Sequence, residues 1–141
     1  MKKATLEQTA FKAAKSLYSM FPIILGIILL ISLVNVIIPK TFYSSVFKGN
    51  ILTDSFIGSF IGSISAGSPA TSYIIGGELL KQGISLIAVT AFLVAWVTVG
   101  LVQFPAESML LGKKFAVIRN IIAFIFSMIV AVITVLILGV L

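Results

Sequence analysis

Gly58-Ser59-Phe60-Ile61-Gly62-Ser63-Ile64-Ser65-Ala66-Gly67-Ser68-Pro69-Ala70-Thr71-Ser72-Tyr73-Ile74-Ile75-Gly76-Gly77 is apolar enough for lipid, yet dense in helix breakers and hydroxyls. In hydrocarbon an unpaired backbone N–H or C=O is costly, so a broken helix at membrane depth must be buried in protein or face a watery cavity. Two readings of residues 55–82 compete. In one, Ile57 to Leu80 is a single spanning helix kinked near Pro69. In the other the segment is a re-entrant hairpin, with a half-helix from Ser55 to Ala66, a tip at Gly67-Ser68 and a second half-helix from Pro69 to about Lys81. The local chemistry favours the break: Ser68 is a good N-cap, Pro69 suits the first helical position and Gly67 supplies the freedom to turn. Each half is too short to cross a bilayer alone.

Around this segment lies a chain of 141 residues, 60% hydrophobic and 10% charged, with a mean hydropathy of +1.23. Soluble domains do not have this composition, and the apolar residues gather in runs of spanning length, so an integral membrane protein is expected. The net charge of +6 comes from basic residues placed singly or in pairs at the ends of apolar runs. Topology signals have that pattern and nucleic-acid surfaces do not, so no nucleic-acid partner is expected. Cysteine and histidine are absent, which removes thiolate and imidazole metal sites, disulfides, cysteine nucleophiles and histidine general bases. Glu7, Asp54, Glu78 and Glu107 are the only acids and form no recognisable pair. The reading is therefore of a non-enzyme without metal or cofactor.

Residues 1–20 carry Lys2, Lys3, Lys12 and Lys15, with Leu6, Ala10, Ala13, Leu17 and Met20 at helical spacing. That predicts an amphipathic interfacial helix at the cytoplasmic membrane surface. Residues 21–141 read as a single transmembrane domain. Phe21 to Ile38 is its first span, with Pro22 in the first turn and Pro39 as the stop; Asn35 reads as interfacial or interhelical. Lys40 to Asp54 is expected to be a polar connection with a turn at Gly49-Asn50. Ile84 to Phe104 is read as a clean span with a small-residue stripe of Ala88, Ala91, Ala95 and Thr98. Ile121 to Leu141 is the last span, with a stripe of Ala123, Ser127 and Ala131. The expected class is all-α: a polytopic membrane protein with three full transmembrane helices plus a broken or re-entrant hairpin, or with four transmembrane helices.

Charge distribution bears on the choice. With a cytoplasmic amino terminus, the re-entrant reading puts seven basic residues inside and three, Lys40, Lys48 and Lys81, outside; four crossings give five on each side. The positive-inside rule prefers the first. The even split is also what a chain inserting in both orientations, and forming antiparallel dimers, would show.

A half-helix starting at Ser68 aims N–H groups and a partial positive charge into the membrane, ringed by hydroxyls. Gly67, Ser68, Pro69, Ala70, Thr71 and Ser72 are accordingly the candidate substrate-binding residues, suited to a polar or anionic group. The competing reading makes Gly58, Gly62 and Ala66 a packing face and has the serines back-bond to their own helix. Glu78, Gln103 and Glu107 are candidates for gating or coupling. Set against that, Glu78 and Lys81 are spaced as an interfacial ion pair, Glu107 as a surface group, and Arg119 as a side chain snorkelling to headgroups.

The run Ser65-Ala-Gly67-Ser-Pro69-Ala-Thr-Ser-Tyr-Ile-Ile-Gly76-Gly-Glu-Leu-Leu-Lys-Gln-Gly83, then Ala91-Phe-Leu-Val-Ala95 and Leu111-Gly112 through Arg119, resembles the predicted permease family of the ArsP/YraQ type over about residues 55–130. By matching position the resemblance implicates Gly67, Pro69, Gly76 and Gly83, and so adds Gly76 and Gly83 to the candidates for gating or coupling. Two departures matter. Ser65 and Ala66 stand where family members have cysteines, which argues against thiol-based handling of arsenicals or metals. The chain is also about half the family's length, which implies a single repeat working as a homodimer.

The functional expectation is a membrane permease half, integral to the cell membrane, that forms a homodimer and moves a small polar or anionic solute through the 67–72 tip. No nucleotide-binding motif is present, so coupling would be to an ion gradient or a separate ATPase. The alternatives are a membrane-embedded structural or interaction subunit and a passive channel.

Overall fold

The computed structural model describes residues 6–37 and 40–140. Lys2, Lys3 and Pro39 lie outside them, as does the side chain of Asn35. Among the described residues the chain is all-helical, with seven helices and no strand: α1 (Leu6–Ile37), α2 (Lys40–Val46), α3 (Ile51–Ile64), α4 (Pro69–Lys81), α5 (Leu86–Thr98), α6 (Phe104–Leu111) and α7 (Lys113–Val140). It divides into two units, residues 1–37 and 38–141.

The first unit is α1 alone, 32 residues long. The amphipathic segment and the first span, read separately from sequence, form one continuous helix that passes through Pro22. Among the described residues two helices are long and apolar enough to cross a bilayer, Gln8–Leu33 within α1 and Lys113–Gly139 within α7. Three or four such helices were expected. The shortfall arises because the reading of Ile84 to Phe104 as a clean span is incorrect. α5 has 13 residues and ends at Val99, which is extended; at 1.5 Å per residue that is about 20 Å, against a hydrocarbon core of about 30 Å. The chain then turns through Gly100 and restarts at Phe104-Pro105, where proline occupies the first turn of α6.

In the second unit α3 and α5 pack side by side and point the same way. Gly58 lies against the Ala88 backbone and Gly62 against that of Phe92, so position advances along both helices together. A Cβ on either glycine would overlap a carbonyl of α5. The small-residue stripe of α5 is what allows this approach: Ala88, Ala91 and Ala95 are all buried. α7 runs antiparallel along α5, with Asn120 beside Gly100 at one end and Ala131 packed with Ala91 and Ile87 further along. Ser127 and Ala131 of the α7 stripe are fully buried, while Ile121, Ile125, Ile129, Ile133 and Leu136 face outward.

The stretch expected as a polar connection before Asp54 contains a helix. Phe42, Tyr43, Val46 and Phe47 recur at helical spacing in and after α2, and Tyr43 and Phe47 pack against Ile84, Ala88 and Val89 of the core. The expected turn is present: Gly49 has φ +76°, and the Asn50 side chain caps α3 by accepting from the Leu52 amide.

Candidate functional site

The helix break expected at Gly67-Ser68 is present. α3 stops at Ile64, Ser65 is extended, and α4 starts at Pro69 with Ser68 as its N-cap. The Ser68 hydroxyl accepts from the Thr71 amide at 3.3 Å and lies 3.0 Å from the Thr71 hydroxyl. Gly67 has φ +154°, and its carbonyl accepts from the Trp96 indole N–H of α5 at 3.3 Å. α4 ends in a Schellman turn. Gly83, at φ +85°, donates to the Leu80 carbonyl, and the Ile84 amide donates back to that of Leu79. Gly83 is thus a helix stop, and Gly76 is a packing contact against Leu93 and Val89.

A second break lies beside the first. α3 and α5 are parallel, so their carboxyl ends, and the breaks that follow, lie at the same end of the pair. After each break the chain re-enters a helix through the same pattern: Pro69-Ala70-Thr71-Ser72-Tyr73-Ile74-Ile75-Gly76 in α4 and Pro105-Ala106-Glu107-Ser108-Met109-Leu110-Leu111-Gly112 in α6. In both, the serine hydroxyl donates to the carbonyl of the motif proline at 2.8 Å. This internal repeat was the sequence signal that would have disclosed the second break. The copies diverge at the glycine: α4 runs on to Lys81, whereas α6 stops at Gly112 with φ +88°.

The two breaks are partnered differently. At the second, the Asn120 side chain of α7 accepts from the Gly100 amide at 2.9 Å and donates to Glu107 at 3.1 Å and to the Ala116 carbonyl at 2.9 Å. Arg119 pairs with the other Glu107 oxygen. Glu107 is therefore partly buried and paired rather than a free surface group, and the partly exposed Arg119 is turned towards it. Gln103 lies at the N-cap of α6, exposed, beside Gly100. Glu78 forms the expected ion pair with Lys81 at 3.2 Å.

At the first break Ala66, Gly67, Ser68, Pro69 and Ala70 are exposed in the single chain, Thr71 is partly buried and Ser72 is buried. The hollow expected around residues 67–72 is not formed by this chain alone. A cavity of about 410 Å³ does lie behind the break. Its lining is almost wholly apolar, includes Phe42, Tyr43, Phe92 and Trp96, and reaches the break only at Ser65 and Ala66. Most other hydroxyls of the segment are spent locally: Ser55, Ser63, Ser65 and Ser72 donate to carbonyls of the preceding turn. Ser59 meets Ser127 of α7 at 2.8 Å.

The opposite end of the α3–α5 pair holds a polar contact that sequence reading missed. Asp54, expected in a loop, is in the first turn of α3 and fully buried. Its Oδ2 accepts from the Ser85 hydroxyl at 2.6 Å. The signal for it was an acid four residues after the capping asparagine, placed on the face that Gly58 and Gly62 mark as the packing side. No protein-family profile, characterised protein or solved structure matches this chain.

Proposed function

We propose that this chain is one half of a membrane transporter of the permease type, working as a homodimer in the cell membrane and moving a small polar or anionic solute past the α3–α4 tip. The observation that carries the reading is the pair of adjacent breaks at one end of α3 and α5, each followed by a proline-initiated helix. Helices of half-bilayer length that stop at a common level and restart at polar residues are the means by which transporters build midplane sites. Two long apolar helices, and the outward apolar face of α7, supply the lipid contact such a protein needs. Exposure of residues 66–70 in the single chain leaves the tip open to a second copy. The resemblance to ArsP/YraQ-type permeases points the same way.

Proteoliposomes carrying the protein, tested with inorganic phosphate, sulfate and short carboxylates, are expected to show flux of at least one. Thr71→Val, which removes a tip hydroxyl and keeps the side-chain shape, should lower that flux several-fold without changing oligomer size. Unchanged flux in the variant removes the tip as the site.

A second reading, a membrane-embedded assembly subunit, is favoured by the packing use of Gly58 and Gly62 and by the back-bonded serines. It predicts a stable oligomer with no flux.

A further inference from the structure

α5 and α7 bound a groove of about 510 Å³, walled by Val94 and Thr98 on one side and by Ile122, Ala123, Phe126 and Val130 on the other. It is open to the surroundings, since Thr98, Ile122, Phe126 and Val130 are exposed. Its hydroxyls are already used: Thr98 donates to the Val94 carbonyl at 2.7 Å, and Ser127 is bonded to Ser59. Towards the amino end of α7 the wall includes Arg119, the only charged side chain among the described residues that line it. One guanidinium nitrogen pairs with Glu107, which engages a fraction of the donors an arginine carries, and the side chain is 39% exposed.

Two further cations lie just beyond it. Lys113 and Lys114 begin α7 and are exposed. That is an unfavourable place for them, because a helix amino terminus carries partial positive charge and favours anions. The first turn of α7 holds no acid, and Gly112, just before it, has no side chain with which to cap the free N–H groups. Glu107 offsets one positive charge at this end, but its carboxylate is already taken by Arg119 and Asn120. The groove is therefore hydrocarbon along its length, with surplus positive charge at one end.

We propose that this groove binds one anionic phospholipid, its phosphate and headgroup among Lys113, Lys114 and Arg119 and one acyl chain along Val94, Ile122, Phe126 and Val130. Charge and length together select that occupant. From Arg119 to Val130 the groove advances 11 residues, about 16 Å along the helix axis, and one leaflet's share of the hydrocarbon core is about 15 Å. A small anion would answer the lysines and leave the groove empty. A neutral lipid or a facing helix would fill the groove and leave the charge unanswered, whereas an anionic lipid does both, as basic pockets between membrane helices do. The site needs α7, which is long and apolar enough to span, to lie in a bilayer; it does not depend on the chain carrying a solute.

Native mass spectrometry of the full chain in a neutral detergent, with phosphatidylglycerol or phosphatidylcholine of identical acyl chains added, tests this. The expected result is preferential retention of phosphatidylglycerol, one per chain. Lys113→Gln combined with Lys114→Gln should weaken that retention about fivefold for each lysine removed. Ala123→Phe, which fills the groove and leaves the charges in place, should weaken it too, and glycerol 3-phosphate, which has the charge and no tail, should not displace the lipid. Equal retention of the two lipids overturns the proposal, as does a preference that the lysine substitutions leave unchanged. Displacement by glycerol 3-phosphate overturns it in favour of a free-anion site. Retention untouched by Ala123→Phe also overturns it, and a smaller oligomer in that variant then assigns the groove to a second copy. Both lysines are exposed, so the double variant decides the matter if Ala123→Phe fails to fold.

Discussion

The indole N–H of Trp96 donates to the carbonyl of Gly67, joining the last turn of α5 to the tip where α3 has ended and α4 has yet to begin. This bond ties the tip to α5, beside the packing of Gly76 on Val89 and Leu93. Trp96→Phe keeps the ring against Phe92 and removes the donor. A hydrogen bond of this kind contributes about 1 kcal/mol, so global stability should fall little. Amide hydrogen exchange over residues 65–71 should rise several-fold while exchange in α7 stays unchanged. Equal protection in both proteins would mean that the tip holds itself.

Gly58→Ala and Gly62→Ala should each be strongly destabilising, because the new methyl meets the carbonyl of Ala88 or Phe92 and α3 must move away from α5. Overpacking of this kind costs about 1–3 kcal/mol, and backbone is less able to yield than a side chain. Gly77→Ala is the matched control. Nothing lies within 4 Å of its added methyl, and glycine in a helix interior is about 0.5–1 kcal/mol worse than alanine. Thermal unfolding in one detergent should rank the variants Gly77→Ala above wild type and both packing variants well below it.

Arg119→Ala should destabilise more than Glu107→Gln. The Glu107 side chain is 16% exposed and Arg119 39%, so removing the arginine strands the less solvated charge, whereas Arg119 left without its partner can turn to water. The two residues share a contact, so the double variant should cost less than the sum of the singles. A double-mutant cycle on unfolding midpoints measures this, and additive effects would show that the pair contributes nothing jointly.

Ser68→Ala should weaken the start of α4 by about 1 kcal/mol through loss of the cap to the Thr71 amide. Ser68→Asp should retain the cap and leave stability near that of wild type. Exchange rates at Thr71 and Ser72 report the change.

Sequence alone determined those features whose causes lie within a few residues. The break before Pro69, the capping role of Ser68, the turn at Gly49-Asn50 and the burial of Ala88, Ala91 and Ala95 in α5 and of Ser127 and Ala131 in α7 follow from local backbone preference or from side-chain size at helical spacing, whereas Thr98, read as part of the α5 stripe, is exposed. Tertiary structure decided the rest. The run from Ile84 to Phe104 is mostly apolar, and although the repeated Pro-Ala-x-Ser pattern marks a helix restart at Pro105, the residue that takes the Gly100 amide at the interruption is Asn120, twenty residues on. Asp54 looked like loop polarity until α5 brought Ser85 beside it. Glu107, Arg119 and Asn120 converge because α7 folds back along α5. Each of these outcomes depends on a partner brought close only by packing, and hydrogen-bond demand inside a bundle is met by whichever group the fold delivers, whatever its distance along the chain.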